Sequence, residues 1–176
     1  MISLAPFPPL AMMGIVDVCA RTLVIGLGNP ILRDDSVGLR VVRALRSHIE
    51  GIPGIELAED YNGGLRLMER LIGFDQAVVI DAIVTGAAPG TLHVMGAKGP
   101  PTQRSTSAHD VDLVTALTLG RRAGAQLPDA DDIIVIGIEA EDVLQFGEQL
   151  SRAVEAAIPQ AVDLVLAHLT SERETP

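Results

Sequence analysis

The segment spanning residues 22–42 constrains the fold more than any other stretch of the chain. It begins with an aliphatic run over 23–26 that is typical of a buried strand. A short loop containing Gly28 follows, and two adjacent carboxylates, Asp34 and Asp35, then lead into an amphipathic helix pattern. Open α/β sheets bind their ligands where a strand ends and the next helix begins. Acidic side chains at that place indicate a cation as the ligand, because they would repel a phosphate.

The alternation of strand and helix patterns continues along the chain. Strands are predicted over 22–27, 55–59, 77–82, 91–95 and 133–138, and helices over 35–49, 65–72, 109–124 and 147–169. This order predicts an α/β fold, a single-domain three-layer sandwich of the phosphorylase/hydrolase-like kind, with helices on both faces of a twisted, mixed, mostly parallel sheet of about five strands. The short link between the third and fourth strands predicts an antiparallel hairpin. Pro159 predicts that the last helical region is kinked or divided in two.

Composition supports one compact domain. The chain has 176 residues, of which 48% are hydrophobic and only 2% aromatic, so the core must consist of aliphatic side chains. Such a bias is typical of strands that are buried on both faces. We interpret residues 1–20 as a loose N-terminal extension, residues 21–170 as the catalytic domain and residues 171–176 as a disordered tail.

The net charge and the cysteine content indicate which classes of partner and which cellular compartment to expect. The formal net charge of −10 argues against nucleic acid or an anionic membrane as the main partner, but it is compatible with a cation or a basic peptide. The single cysteine, Cys19, excludes an internal disulfide framework and fits a reducing cytosol. No stretch is long and apolar enough to span a bilayer. We therefore expect a cytoplasmic protein without membrane insertion, and we expect it to be a monomer.

Three polar residues fall at positions that the predicted sheet would bring to one edge. Asp35 follows the first strand, Asp81 closes the third strand, and His109 opens the third helix. Two carboxylates and one imidazole form a ligand set suited to nickel, zinc or manganese. The set leaves a coordination position open, as metal-assisted catalysis requires.

Each of these residues also has a purely structural interpretation. An aspartate at a helix start, such as Asp34 or Asp35, is a favoured N-cap. Asp81 could serve as a turn residue at the end of its strand. The pattern Ser107-x-x-Asp110 resembles a capping box, which leaves His109 between them without an assigned role.

The motifs resemble those of the maturation endopeptidases of nickel-iron hydrogenases. That family carries Gly-x-Gly-Asn-x-Leu-x-x-Asp-Asp/Glu after its first strand, and the segment 26–35 reads Gly-Leu-Gly-Asn-Pro-Ile-Leu-Arg-Asp-Asp. An aspartate that ends a later strand and a histidine that opens a helix complete the family pattern, and Asp81 and His109 match them. The likeness extends from about residue 22 to residue 169.

The resemblance implies a specific activity. Such proteins are endopeptidases that remove a C-terminal extension from the nickel-iron hydrogenase large-subunit precursor once nickel has been inserted. It implies that Asp35, Asp81 and His109 are both the metal-binding and the catalytic residues. It also implies that the nickel is supplied by the substrate, and that zinc or cadmium can substitute for it in vitro.

Three alternatives remain open at this point. The chain could be a non-catalytic, nickel-dependent chaperone or binding module for the large subunit. Peptidyl-tRNA hydrolases also begin with the pattern seen over 26–30, although they need a basic face for tRNA, which a net charge of −10 opposes. Asp35 and Asp81 could also form an aspartic dyad that shares a proton, but neither has the usual Asp-Thr/Ser-Gly neighbours.

Overall fold

The computed structural model describes residues 20–99 and 112–171 of the chain. Within these ranges strands and helices follow one another largely in the predicted order. One short 3₁₀ turn precedes the first helix, and another precedes the last strand. The elements are β1 (Thr22–Leu27), a 3₁₀ turn (Asp34–Ser36), α1 (Val37–Ile49), β2 (Ile55–Asp60), α2 (Gly64–Arg70), β3 (Gln76–Ile83), β4 (Leu92–Gly96), α3 (Leu113–Arg122), a second 3₁₀ turn (Ala130–Asp132), β5 (Ile133–Glu139) and α4 (Arg152–Ser171).

The described strands form a single five-stranded sheet in the order β2-β1-β3-β5-β4. Strands β2, β1, β3 and β5 are parallel, and only β4 runs antiparallel to its neighbour. The prediction of a mixed, mostly parallel sheet in one α/β domain is therefore confirmed.

The predicted hairpin between the third and fourth strands is wrong. Strand β4 pairs with β5, in a register that places Leu92 opposite Ile138, whereas both edges of β3 are occupied by β1 and β5. The chain after β3 crosses the end of β5 before it turns back. Backbone hydrogen bonds from Gly90 N to Glu139 O (2.8 Å) and from Glu139 N to Thr91 O (2.9 Å) fix that crossing. The short link between β3 and β4 thus crosses the end of β5, a strand that comes after both of them in the sequence.

Two apolar layers cover the sheet, which explains the aliphatic runs of its strands. One buried cluster joins α1 and α4 to side chains such as Val24, Val78 and Ile136. The other joins α2 and α3 to the alternate strand residues, such as Ile25 and Val79. Because successive strand residues point to opposite faces, strands covered on both sides need apolar residues at every position. The predicted three-layer sandwich is confirmed.

Several helix boundaries differ from those predicted. Helix α3 begins at Leu113, and its N-cap is Asp112, which accepts a hydrogen bond from Thr115 N. The predicted capping box over 107–110 and His109 itself lie outside the described residues. Helix α4 is one helix with Pro159 inside it. It continues to Ser171, which therefore belongs to the helix rather than to the predicted tail; the rest of that tail and residues 1–19 are outside the described residues.

None of the helices in the described ranges combines the length and the apolar character that crossing a bilayer requires.

The topology creates a crevice between the carboxyl ends of β1 and β3. The chain leaves β1 through α1 to reach β2 on one side, and it returns through α2 to β3 on the other side. The chain after β1 enters α1 on one face of the sheet, whereas the loop after β3 crosses the end of β5 toward β4, so the two loops diverge at this point. In open α/β sheets such a switch in strand order is the usual place of a binding site.

Candidate metal-binding and catalytic site

Asp35 lies at this switch point. It sits in the 3₁₀ turn Asp34–Ser36, which follows β1 and leads directly into α1. Its side chain is buried, with 4% of the residue exposed. The carboxylate oxygen Oδ2 accepts a hydrogen bond from the backbone N–H of Asn29 at 2.9 Å. The loop after β1 thus holds the orientation of this carboxylate.

Asp81 is placed on the neighbouring strand and is fully buried. Strand β3 continues to Ile83, so Asp81 lies within the strand rather than closing it, and the turn interpretation is wrong. Its Oδ1 accepts a hydrogen bond from Ala82 N at 2.9 Å. Its partner in the register of β5 is Gly137, which contributes no side chain beside the carboxylate.

Glycines bring the turn of Asp35 against the ends of β1 and β3. A Cβ atom on Gly38, in the first turn of α1, would collide with the carbonyl oxygens of Leu27 and Ile80. A Cβ on Gly28 (φ +150°) would collide with the carbonyl oxygen of Asp35. Only glycine permits backbones to approach this closely. Since Ile80 directly precedes Asp81, this packing brings the segment of Asp35 close to the strand that carries Asp81.

The third predicted ligand, His109, lies outside the described residues. Within the described ranges no group of three or more His, Cys, Asp and Glu side chains could hold a metal ion. The described part of the site therefore consists of two buried carboxylates at the carboxyl edge of the sheet, Asp35 in the turn after β1 and Asp81 on the adjacent parallel strand β3.

Asp34 has a role that sequence reasoning missed. It is fully buried, and its carboxylate accepts three backbone hydrogen bonds, from Glu141 N (3.0 Å), Asp142 N (3.1 Å) and Ser151 N (2.6 Å). Asp34 therefore binds the loop over 141–151 to the loop that follows β1. It does not cap α1, whose N-cap is Ser36 without a side-chain capping bond. The only signal in the sequence was the presence of a second carboxylate beside Asp35.

A further buried carboxylate, Glu139, ends β5 and was also missed. It is 1% exposed. Its Oε1 accepts hydrogen bonds from the backbone N–H groups of Thr85, Gly86 and Ala87 (2.8 to 3.1 Å), and its Oε2 accepts one from the Thr85 hydroxyl at 2.8 Å. His93 Nε2 lies 3.4 Å from the same oxygen. Glu139 thus fixes the loop that follows Asp81, and an aliphatic run closed by a carboxylate was the signal available for it.

Replacing Glu139 with Gln is expected to lower stability in a pH-dependent way. Burial raises the pKa of the Glu139 carboxyl, but the hydrogen bonds donated by the segment 85–87 more than offset this, and the pKa lies below its usual value. The ionised form therefore stabilises the fold above the unfolded-state pKa, and this contribution is lost as the pH falls through the folded-state pKa. We expect a loss of about 2 kcal/mol at pH 7. Urea unfolding of wild type and variant should show the difference shrinking toward acid pH.

Glu141→Gln is the matched control for this measurement, since Glu141 is an exposed glutamate two residues further along the chain. It should leave the free energy of unfolding within about 0.5 kcal/mol of wild type. A stability difference for Glu139→Gln that stays constant between pH 7 and pH 4 would show that ionised Glu139 does not hold the loop.

Comparison with known proteins agrees with this architecture. The family model for hydrogenase maturation protease matches residues 39–168. The hydrogenase 2 maturation protease of Escherichia coli is 30% identical over 152 residues, which cover 85% of this chain and 90% of that protein. The hydrogenase expression/formation protein HoxM of Cupriavidus necator is 26% identical over 144 residues, covering 80% of this chain and 70% of the relative.

Solved structures show the same similarity. The hydrogenase maturating endopeptidase HybD from E. coli superimposes with a TM-score of 0.68 at 27% identity, covering 86% of this chain and 93% of that one. The family match extends over most of the chain and includes β2 to β5, α2, α3 and most of α1 and α4. The chain therefore belongs to the hydrogenase maturation protease family, whose members are endopeptidases that process hydrogenases.

Proposed function

We propose that this protein removes the C-terminal extension of a nickel-iron hydrogenase large-subunit precursor after nickel insertion, and that Asp35, Asp81 and His109 bind the nickel carried by the substrate. One observation carries the proposal. Two buried carboxylates occupy the switch point of a fold that belongs to hydrogenase-processing endopeptidases. Family membership also favours this activity over the peptidyl-tRNA hydrolase alternative.

The chemistry of the two carboxylates supports metal recognition. Two carboxylates close together in a buried position attract a divalent ion, because its charge compensates both of them. Carboxylate oxygens together with an imidazole nitrogen suit borderline ions such as nickel, and zinc or cadmium should substitute in vitro. The backbone N–H groups of Asn29 and Ala82 orient the carboxylates before the substrate arrives.

Nickel in this proposal belongs to the substrate, so it reports that the precursor is ready to be cut. When the protein's side chains complete the coordination of that ion, the scissile peptide is held beside the site, and reaction by proximity is favoured. A bound divalent ion can polarise the peptide carbonyl or a water molecule as a Lewis acid. A precursor without nickel lacks this anchor and should remain uncut.

The experiment compares two forms of the same precursor. Purified protein mixed with nickel-loaded large-subunit precursor should release one discrete C-terminal peptide, detected by mass spectrometry. The nickel-free precursor at the same concentration is the control and should stay intact. Binding of the nickel-loaded form without release of any peptide would contradict the protease proposal and favour the chaperone or binding module.

A further inference from the structure

Two loops at the carboxyl edge of the sheet are joined into one structural unit. Leu32, after β1, forms an isolated antiparallel bridge with Phe146, after β5. Backbone hydrogen bonds from Arg33 N to Gln145 O (3.1 Å) and from Gly147 N to Ile31 O (3.0 Å) flank that bridge. The loops that follow two different strands are therefore paired as in a short ribbon.

Three large apolar side chains on this unit face solvent. Ile31 is 56% exposed, Leu144 is 82% exposed and Phe146 is 76% exposed. We call these three residues the loop patch. The last two have the largest exposed fractions of all the exposed large hydrophobic residues in the described ranges. Only 2% of the residues are aromatic, and one of these, Phe146, is exposed instead of buried in the core. Exposed apolar patches of this kind are typical of interaction surfaces.

The backbone that carries the loop patch is held in place by polar contacts. Asp142 Oδ1 accepts hydrogen bonds from Leu144 N (2.8 Å) and Gln145 N (2.9 Å). The Arg33 guanidinium donates to Gln145 Oε1 at 2.8 Å, and Arg40 Nη2 donates to Glu148 O at 2.7 Å. Because these contacts fix the loop without using its apolar side chains, the side chains are presented in advance for a partner, which reduces the entropy cost of binding.

The loop patch is connected to the candidate site through a single residue on one side. Asn29 donates its backbone N–H to Asp35 Oδ2 at 2.9 Å, and its side-chain Oδ1 accepts from Ile31 N at 3.2 Å. On the other side, Asp34 binds the loop over 141–151 and directly precedes Asp35 in the chain. When a substrate protein places its peptide at Asp35, the part of its surface next to that peptide would therefore contact these loops.

We propose that the loop patch is the docking surface for the folded body of the hydrogenase large-subunit precursor, beside the extension that is cut; this inference rests on the proposed function. The expected contact on the precursor is an apolar area flanked by charged side chains of both signs, because the loop carries Glu141 and Glu148 and is contacted by the guanidinium groups of Arg33 and Arg40. A second copy of this chain is a poor occupant. Two chains that each carry a net charge of −10 would repel each other.

The test is a kinetic comparison of a double variant, Leu144→Ser with Phe146→Ser, against wild type on nickel-loaded precursor. We expect KM to rise about 10-fold or more and kcat to change less than about 2-fold, since exposed apolar anchors contribute to docking and not to the reaction at Asp35. Ile72→Ser is the matched control. Ile72 is also an exposed apolar residue (47%), but it lies between α2 and β3, at the opposite edge of the sheet.

The outcomes separate the two proposals. If wild type does not cut the precursor, the proposed function fails. If wild type cuts it and the double variant has the wild-type KM, the docking proposal alone is overturned. A wild-type dimer in sedimentation that the double variant dissociates, with unchanged KM, would assign the patch to a second copy and also overturn it. Should the double variant fail to fold in a urea titration, Leu144→Ser alone, at the most exposed position, gives the same comparison with an expected KM rise of about 3-fold.

Discussion

Replacing Asp81 with Asn should abolish processing of the nickel-loaded precursor while the protein remains folded. Asn has the shape of Asp and can still accept the hydrogen bond from Ala82 N, so the buried position stays filled. The substitution removes the negative charge that the proposed site offers to a divalent ion. We expect the rate of peptide release to fall about 100-fold or more. Asp35→Asn should have the same effect, since its bond with Asn29 N is equally retained.

Asn is preferred to Ala in this experiment because both aspartates are buried. A change to Ala would leave a cavity and unpaired backbone groups, so lost activity could then reflect lost structure. Asp163→Asn provides the matched control, since Asp163 is exposed on α4. Peptide release is followed by mass spectrometry, and urea unfolding confirms folding. Wild-type rates in both site variants would reject the assignment of these residues.

Replacing Asp34 with Ala should instead reduce stability by about 3 kcal/mol. The substitution removes the buried acceptor of three backbone N–H groups, those of Glu141, Asp142 and Ser151. The loss should appear as a lower urea midpoint. Hydrogen exchange of these three amides should also accelerate, because the loop over 141–151 is released from the loop after β1.

Asp163→Ala on the exposed face of α4 controls for the loss of one carboxylate and should change stability by less than about 0.5 kcal/mol. If the three amides in the Asp34→Ala variant exchange as slowly as in wild type, Asp34 does not hold the loop over 141–151. A loss of stability together with slower processing is the expected pattern for Asp34→Ala, whereas Asp35→Asn, like Asp81→Asn, should affect processing alone. The two adjacent residues Asp34 and Asp35 therefore separate structure from chemistry in one comparison.

The adjacency of Asp34 and Asp35 also shows where sequence reasoning stops. The pattern over 22–42 predicted that a buried strand would deliver carboxylates to a helix start, and β1, the 3₁₀ turn and α1 have that arrangement. The same pattern does not show whether Asp34 or Asp35 accepts hydrogen bonds from the loop over 141–151. The partners of Asp34 lie as many as 117 residues away along the chain, at Ser151. Pairing at such separation is set by the packing of the whole sheet.

Strand β4 illustrates the same limit. Its existence was predictable, because alternating residues and a preceding turn mark a strand locally. Its partner was not, because β5, which lies between β3 and β4 in the sheet, comes only after both of them in the sequence. The carboxylate of Glu139 likewise gains its role only when the segment 85–87 is brought to the end of β5.

Local patterns in the chain were enough to predict the class of fold, because aliphatic runs buried on both faces and amphipathic helices between them leave a layered parallel sheet as the stable arrangement. The sequence also determined which motifs the chain carries. The order of the strands, the burial of Asp35 and Asp81 at one crevice, and the use of Asp34 and Glu139 to hold loops became visible only in the three-dimensional structure. Local preferences act over a few residues, whereas these features depend on contacts between segments far apart in the chain.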